Sequence, residues 1–335
     1  MIKIIQTKSG DGNFHLFENF PKEIYPADSI RFKLSDTINI KYLHVCFVLI
    51  NDNKVCARAA LYNNPHVNYQ GKKTWCIGNY ESVNDENIST KLIKYLSSEA
   101  KENGAEFLIG PMNGSTWDSY RFCVNHNQPN FFLEPYHHLY YNDHFFNAGF
   151  KIIAKYFSSI DTSLKYDNAD VITREKELKN SGVTFRNIRL DEYEKELEKL
   201  FEFNAIAFKT NFLYTPLNKV EFIKKYAETK KMIDPDFVIL AEDRNKNLIG
   251  YFFCINDVFN KKEKSLIIKT IARHPDKKWT GLGHVIGNMI YRKAVEKKYT
   301  SVIHAFMYEQ GTSTTISKKF FGDIYKNYVL YGKEI

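Results

Sequence analysis

One order of elements is written twice along this chain of 335 residues: a hairpin, a strand, a helix, a strand and a closing segment. In the first half, residues 45–50 and 55–61 are apolar runs separated by Asn51, Asp52, Asn53 and Lys54, the pattern of a hairpin with turn-forming residues at its tip. A further strand is expected over 74–80. Leu92, Ile93, Leu96 and Ala100 recur at helical spacing within 89–101, Gly104 stops that helix, and 107–111 reads as a buried strand ending in a turn. In the second half, Tyr193, Leu197, Leu200, Phe201 and Phe208 share one face of a helix over 191–208. Residues 237–241 and 248–253 form a second hairpin about the turn 243–247. A strand over 266–272, a helix over 282–297, a strand over 301–307, a short helix and a closing strand over 324–333 complete the copy. The repeat predicts an α/β (α+β) chain of two tandem domains, each a mixed, mostly antiparallel sheet flanked by helices. The polar stretch from Asp161 to Gly182 reads as their linker. The expected division is 1–160, a linker over 161–183, and 184–335.

Composition agrees with two domains. The chain is 44% hydrophobic, with 26 Phe and 22 Tyr, enough for two cores and an aromatic cleft. Its formal charge of +8 is spread without a long Lys/Arg run, so a solvated lysine-rich surface is expected and no nucleic-acid partner. Cys46, Cys56, Cys76, Cys123 and Cys254 form no CxxC pair, which fits free thiols in a reducing compartment. His137 and His138 are adjacent, with no Cys or acid at ligand spacing, so no metal is expected. The N-terminus is too short and polar for a signal peptide, and no apolar stretch approaches the roughly 20 residues of a membrane span. A cytoplasmic location and no membrane partner are expected. Oligomeric state is not encoded in any of these patterns.

The most informative segment runs from Arg273 to His284, RHPDKKWTGLGH. An apolar strand precedes it, and a helix follows with Leu282, Val285, Ile286, Met289, Ile290 and Val295 on its buried face. A glycine-bearing turn there points free backbone N–H groups at one spot, and the helix end adds about half a positive charge. Gly281 and Gly283 let the backbone approach a bulky anion, for which a diphosphate is the natural ligand. Arg273, Lys277 and Lys278 would add charge beside it. On the pattern alone, a strand-to-helix turn with no ligand is as good a reading.

This segment resembles the acyl-CoA diphosphate loop of the GNAT acetyltransferase superfamily, a pattern of Arg or Gln, two residues, Gly, one residue, then Gly or Ala. It stands here as Lys278, Trp279, Thr280, Gly281, Leu282, Gly283, with Pro275 before it. Lys at the first position keeps the charge and loses the planar fork of Arg. The resemblance implies acetyl-CoA or another acyl-CoA as cosubstrate, held by Ile271, Ala272, Arg273, Lys277, Lys278, Trp279, Thr280, Gly281, Leu282, Gly283 and His284. It further implies that the strand ending at Ile271 to Arg273 pairs with the pantetheine arm. The strand over 302–308 would splay away and leave a V-shaped slot. The superfamily's Asn and its acidic Tyr fall at Gly311 and Lys318, so neither is carried over. Glu309 is the candidate base, Tyr308 and Tyr331 are candidate donors to the departing thiolate, and Thr312 and Ser313 are polar neighbours.

Over nearly its whole length the chain also resembles bacterial tandem GNAT proteins. The matching residues are Phe17 to Pro21 with Ile24 and Tyr25, the turn from Ile109 to Asn113, Ala148 to Phe150, and Tyr328 to Tyr331. The implied activity is N-acyl transfer to a small-molecule or peptide amine. In the first half, the turn 83–89 lacks glycine and carries Asp85 and Glu86, which repel a diphosphate by roughly 1 to 4 kcal/mol at about 4 Å. That half is expected to be a degenerate copy shaping the acceptor cleft. His304 reads as a hydrogen-bonded core histidine and His284 as a lining of the loop. Trp117 and the aromatic run 131–141 are candidates for the acceptor pocket or the core. Glu134, His137 and His138 stand out there as polar groups in need of partners. Two other readings keep the fold: a Fem-type transferase taking its donor from aminoacyl-tRNA, which has no diphosphate to cradle, and a non-catalytic acyl-CoA-binding protein.

Overall fold

The computed structural model describes residues 1–34, 37–311 and 322–335. Both expected hairpins are present. β1 (Ile2–Thr7), which the sequence pattern did not reveal, pairs antiparallel with β2 (Leu43–Asn51), and β2 with β3 (Lys54–Tyr62). β4 (Asn68–Tyr69) is a two-residue strand against β5 (Lys72–Ser82). α3 (Glu86–Glu102) buries Leu92, Ile93, Leu96 and Ala100 on one face, and β6 (Phe107–Gly110) then runs parallel to β5. Short helices α1 (Phe14–Asn19) and α2 (Pro21–Ile24) precede this sheet's second strand. After β6 come β7 (Phe122–Cys123), α4 (Tyr141–Asn147) and β8 (Lys151–Asp161).

The polar stretch expected as a linker carries a helix, α5 (Ala169–Asn180). Asn168 caps it by accepting from the N–H groups of Asp170 and Val171. Arg292 holds it in place through Asp167 and, at 2.9 Å, Glu175. Its helical period was hidden because it buries little apolar surface and is fixed by charge. Then follow β9 (Thr184–Asn187), α6 (Tyr193–Ala207), α7 (Lys219–Ala227), β10 (Val238–Glu242), β11 (Leu248–Asn256), β12 (Ser265–Arg273), α8 (Leu282–Glu296), β13 (Ser301–Tyr308) and β14 (Asp323–Glu334). The short helix expected before the closing strand lies outside the described residues.

Among the described residues there is one sheet of 14 strands, and the order of its main path is β1-β2-β3-β5-β6-β14-β8-β13-β12-β11-β10-β9. The order is palindromic about its centre, with one exchange. The last strand of the second half, β14, pairs antiparallel with β6 of the first, while β8 of the first half pairs antiparallel with β13 of the second. β8 and β14 also pair with each other, so the halves share a continuous backbone ladder. Alternation along β14 carries the exchange into the cores. Val329 and Tyr331 pack with the α3 face of the first half, and Tyr328 and Leu330 with its opposite face, beside Phe17 and Phe20. In the second half, α8 covers one face through Leu282, Val285, Ile286 and Ile290, and α6 and α7 cover the other through Leu197, Leu200 and Phe222.

Candidate active site in the second half

β12 and β13 run parallel from Ser265↔Ser301 to Ile268↔His304, and the pairing stops there. β12 continues to Arg273 and β13 to Tyr308, so the strands part and leave a slot between two arms. Both arms are irregular where they part. Phe253 opposes Thr270 and Cys254 opposes Ile268, so Lys269 is the extra residue of a β-bulge, a device that re-aims a side chain. On β13 the register to β8 breaks between His304 and Met307, with Phe306 at φ 56.

At the outer end of β12 lies the glycine turn. Lys277–Trp279 make one 3-10 turn, Gly281 takes φ 87 as the cap of α8, and α8 begins at Leu282. A left-handed φ of this kind favours glycine, and a Cβ here would also lie 3.0 Å from the Arg174 side chain. The turn's carbonyls are tied from behind. Arg174 Nε donates to Thr280 O at 2.9 Å, Arg174 Nη2 to Lys278 O at 2.8 Å, and Arg273 Nη1 to His274 O and Asp276 O at 2.8 and 3.0 Å. Arg273 was expected as mobile charge beside an anion; it is a brace of the loop. The amide groups of Lys278, Trp279 and Thr280 are used within the turn. Among the described residues nothing accepts from the N–H groups of Gly281, Leu282 and Gly283. Three orphan donors at the positive end of a 15-residue helix are an arrangement able to hold an anion. Lys277 and Lys278 are exposed beside it. Asp276 lies 3.3 Å from Lys278 Nζ, its carboxyl held below the usual range chiefly by the Lys278 N–H.

The first half has the same slot, and it is filled. β5 and β6 pair from Thr74↔Phe107 to Cys76↔Ile109. The chain after β6 then folds back: Met112 N donates to Ile77 O at 2.8 Å, and Asn79 N donates to Asn113 Oδ1 at 2.8 Å. Gly78 permits this approach, since a Cβ there would lie 2.5 Å from Met112 O. The start of α3 carries a carboxylate of its own, since Asp85 accepts from Ile88 N at 3.0 Å.

The candidate chemical residues fall in different places. Tyr308 and Glu309 end the β13 arm. Tyr308 stacks on Phe212 at 5.5 Å and donates to Gln310 Oε1 at 3.3 Å, and burial raises its pKa. Glu309 is exposed, its backbone N–H bonded to Lys155 O. Tyr331 is not at this slot. The strand exchange carries it into the first half opposite Gly110, where its hydroxyl donates to Asn142 Oδ1 at 3.1 Å; its role as a donor here is corrected on that ground. Thr312, Ser313 and Lys318 lie outside the described residues, and Gly311 closes a turn onto Tyr308 O. His304 is buried and bonded to the Tyr291 hydroxyl at 2.9 Å, and its pKa falls to about 4 through desolvation. His284 lies half-buried in the first turn of α8.

The polar members of the aromatic run are core groups. Glu134 is fully buried, 3.3 Å from Lys326 Nζ, and accepts from Tyr328 OH at 3.0 Å. His137 Nε2 accepts from Cys123 N at 2.7 Å, so its proton sits on Nδ1 and is donated to His138 O. His138 stacks on Tyr25 at 4.5 Å. Trp117 does line a pocket: with Phe222, Tyr226 and Tyr251 it encloses a cavity of about 50 Å³ that reaches Lys269 and Thr270. Lys269, Arg174 and Gly78 were not singled out in the sequence. For Lys269 the signal was present, a lysine inside the apolar run SLIIKTIAR. Among the described residues there is no cluster of three His, Cys, Asp or Glu side chains placed to hold a metal, and no helix long and apolar enough to cross a membrane.

No family model and no curated protein matches the sequence. Solved structures do. A GCN5-related glucosamine N-acetyltransferase region of a fungal multi-domain GH3 β-N-acetylglucosaminidase is similar over 99% of this chain, with 13% identity and a TM-score of 0.60; the chain spans 38% of that protein. A probable N-acyltransferase from Enterococcus faecalis is similar over 100% of this chain and 73% of its own, at 7% identity and a TM-score of 0.58. A tandem GNAT protein from the clavulanic acid biosynthesis pathway covers 100% of this chain and 98% of its own, at 10% identity and a TM-score of 0.54. At these identities the likeness is one of architecture, and it agrees with the repeat, the splayed strands and the glycine turn: the chain has the fold of a tandem GNAT protein.

Proposed function

We propose that the chain is an acyl-CoA-dependent N-acyltransferase with a single donor site, in the second half. The observation that carries this reading is the set of three unpartnered N–H groups at Gly281, Leu282 and Gly283, with the neighbouring carbonyls of Lys278 and Thr280 held away by Arg174. A diphosphate there would place pantetheine along the free edge of β12 beyond Ile268, with its thioester toward the point where the strands part. The first half offers no second donor site on this reading, since Met112 and Asn113 occupy its slot and Asp85 its helix end. In the transfer, the amine nitrogen bonds to the acyl carbon and the carbon–sulfur bond breaks. The amine loses a proton, and the thiolate gains one. Tyr308, at the end of the β13 arm, is the side chain we assign to thiolate protonation; Glu309, exposed on the same arm, is the candidate base.

Calorimetry with CoA tests the donor site. Wild type binds, and Gly281→Asp, which must take a left-handed φ and sets its Cβ 3.0 Å from the Arg174 side chain that braces the turn, distorts the loop and weakens binding by about tenfold or more. Wild-type protein that shows no heat with CoA sinks the proposal. A non-catalytic CoA-binding role is favoured by one finding, the displacement of Tyr331 into the other half. Binding of acetyl-CoA with no product from any amine would establish it instead.

A further inference from the structure

The bulge residue Lys269 reaches the aromatic pocket of Trp117, Phe222, Tyr226 and Tyr251 at the point where β12 and β13 part. Among the described residues its ammonium has no hydrogen-bond or ion-pair partner. Desolvation, and after it the like charges of Lys225 and Arg121, bring its pKa down to about 8. Arg121 is itself buried, and among the described residues no carboxylate pairs with it. Its guanidinium lies 3.8 Å from the Tyr120 ring centre, 4.4 Å from that of Tyr156 and 4.9 Å from that of Phe306 on the β13 arm. Among the described residues its guanidinium makes one hydrogen bond, to Phe306 O at 3.4 Å. The nearby acid, Asp118, is fully engaged by Lys225, Ser115 and Asn39, each at 2.8 Å. Among the described residues no carboxylate lines the pocket.

Among the described residues neither Lys269, half-buried, nor Arg121, buried against aromatic rings, has a carboxylate partner, and two such cations, one beside each arm of the slot, favour an anion that joins them. The donor's diphosphate does not fill that role. Lys269 stands four residues before the end of β12, about 13 Å at roughly 3.3 Å per residue, and the glycine turn lies beyond that. The pantetheine arm is uncharged. What remains to enter this part of the slot is the acceptor. Resting on the acyltransferase reading above, we propose that the acceptor amine carries a carboxylate, bound between Lys269 and Arg121, and that its apolar part enters the pocket beneath Trp117. A guanidinium facing a carboxylate gives a planar, charge-assisted contact. The cavity of about 50 Å³ has room for a short apolar chain. The acceptor class is thus an α-amino acid or a similar amino acid-like amine.

Matched pairs test this: leucine against isoamylamine, phenylalanine against phenethylamine, and phosphoethanolamine against ethanolamine. Each is assayed with saturating acetyl-CoA and titrated calorimetrically in the presence of CoA. The carboxylated member is expected to exceed its partner in kcat/KM by tenfold or more. Lys269→Met should bring that ratio close to one through KM, with acetyl-CoA binding retained, and Arg121→Gln should act in the same direction. Equal use of the neutral amines, or a ratio that survives Lys269→Met, overturns the inference. A wild type that binds acetyl-CoA but neither binds nor acylates the amino acids does so too, while leaving the donor reading in place. A larger ratio for the phosphate pair than for the carboxylate pairs replaces the carboxylate with a phosphate. Failure to bind acetyl-CoA at all overturns the reading beneath it instead.

Discussion

Arg174 braces the proposed donor loop through the turn's carbonyls. Its guanidinium takes two carbonyls of the turn, Lys278 O and Thr280 O, and Glu177 Oε2 steadies it at 2.8 Å. With the carbonyls fixed behind, the N–H groups of Gly281 to Gly283 are aimed without a cost in ordering at the moment of binding. Arg174→Ala should therefore weaken CoA by about tenfold, near 1.4 kcal/mol, while the melting temperature changes little, because the residue is partly exposed. An unchanged Kd in calorimetry would mean that the turn holds its shape unaided. Lys269 is the contrasting case. Its position on β12 could be read from the sequence, and its isolation could not, because that depends on Arg121 arriving from residues nearly 150 positions earlier in the chain.

At the scale of elements, what the sequence revealed was what local chemistry decides. The turn from Arg273 to α8 is written in consecutive residues, Pro275, Gly281 and Gly283 among them, and it folds as read, with φ 87 at Gly281. The hairpins and the helix α3 were legible for the same reason. β8 and α5 were not, since one alternates exposed and buried residues irregularly and the other is fixed by Arg292 through its acids. The placement of Tyr331 failed because no local pattern tells which half a closing strand will join. A buried ion pair helps to fix that choice. Lys326 on β14 and Glu134 in the first half meet at 3.3 Å with both side chains fully enclosed. Glu134→Leu leaves the ammonium buried and unpaired, so urea unfolding should show a loss of about 3 to 5 kcal/mol. Adding Lys326→Met should restore most of it, because two apolar side chains need no counter-charge. A double variant no more stable than Glu134→Leu alone would show that the pair matters for its shape rather than its charge.

For the whole molecule, the exchange of β8 and β14 couples the two halves' stability. Tyr328, Val329, Leu330 and Tyr331 are second-half residues in the sequence and first-half core residues in space. Were the second half to unfold alone, β14 would leave and vacate all four positions. At about 2 to 5 kcal/mol for each large core side chain lost, that exceeds or matches the roughly 5 to 15 kcal/mol by which a domain is stable. The reverse holds for β8, whose departure would strip the β13 edge and open the slot. The halves should therefore unfold together. Trp75 is buried in the first-half core and Trp279 packs against the second-half core under α8. Variants retaining one of these as the sole tryptophan, the others replaced by Phe, report each half separately. Their fluorescence midpoints in urea should coincide, and far-ultraviolet dichroism should give the same value. A Trp279 midpoint well below that of Trp75 would mean that β14 stays docked after its own half has melted. In the coupled case, CoA bound at Gly281 raises both midpoints equally, since ligand energy on the native state is shared by everything that unfolds with it.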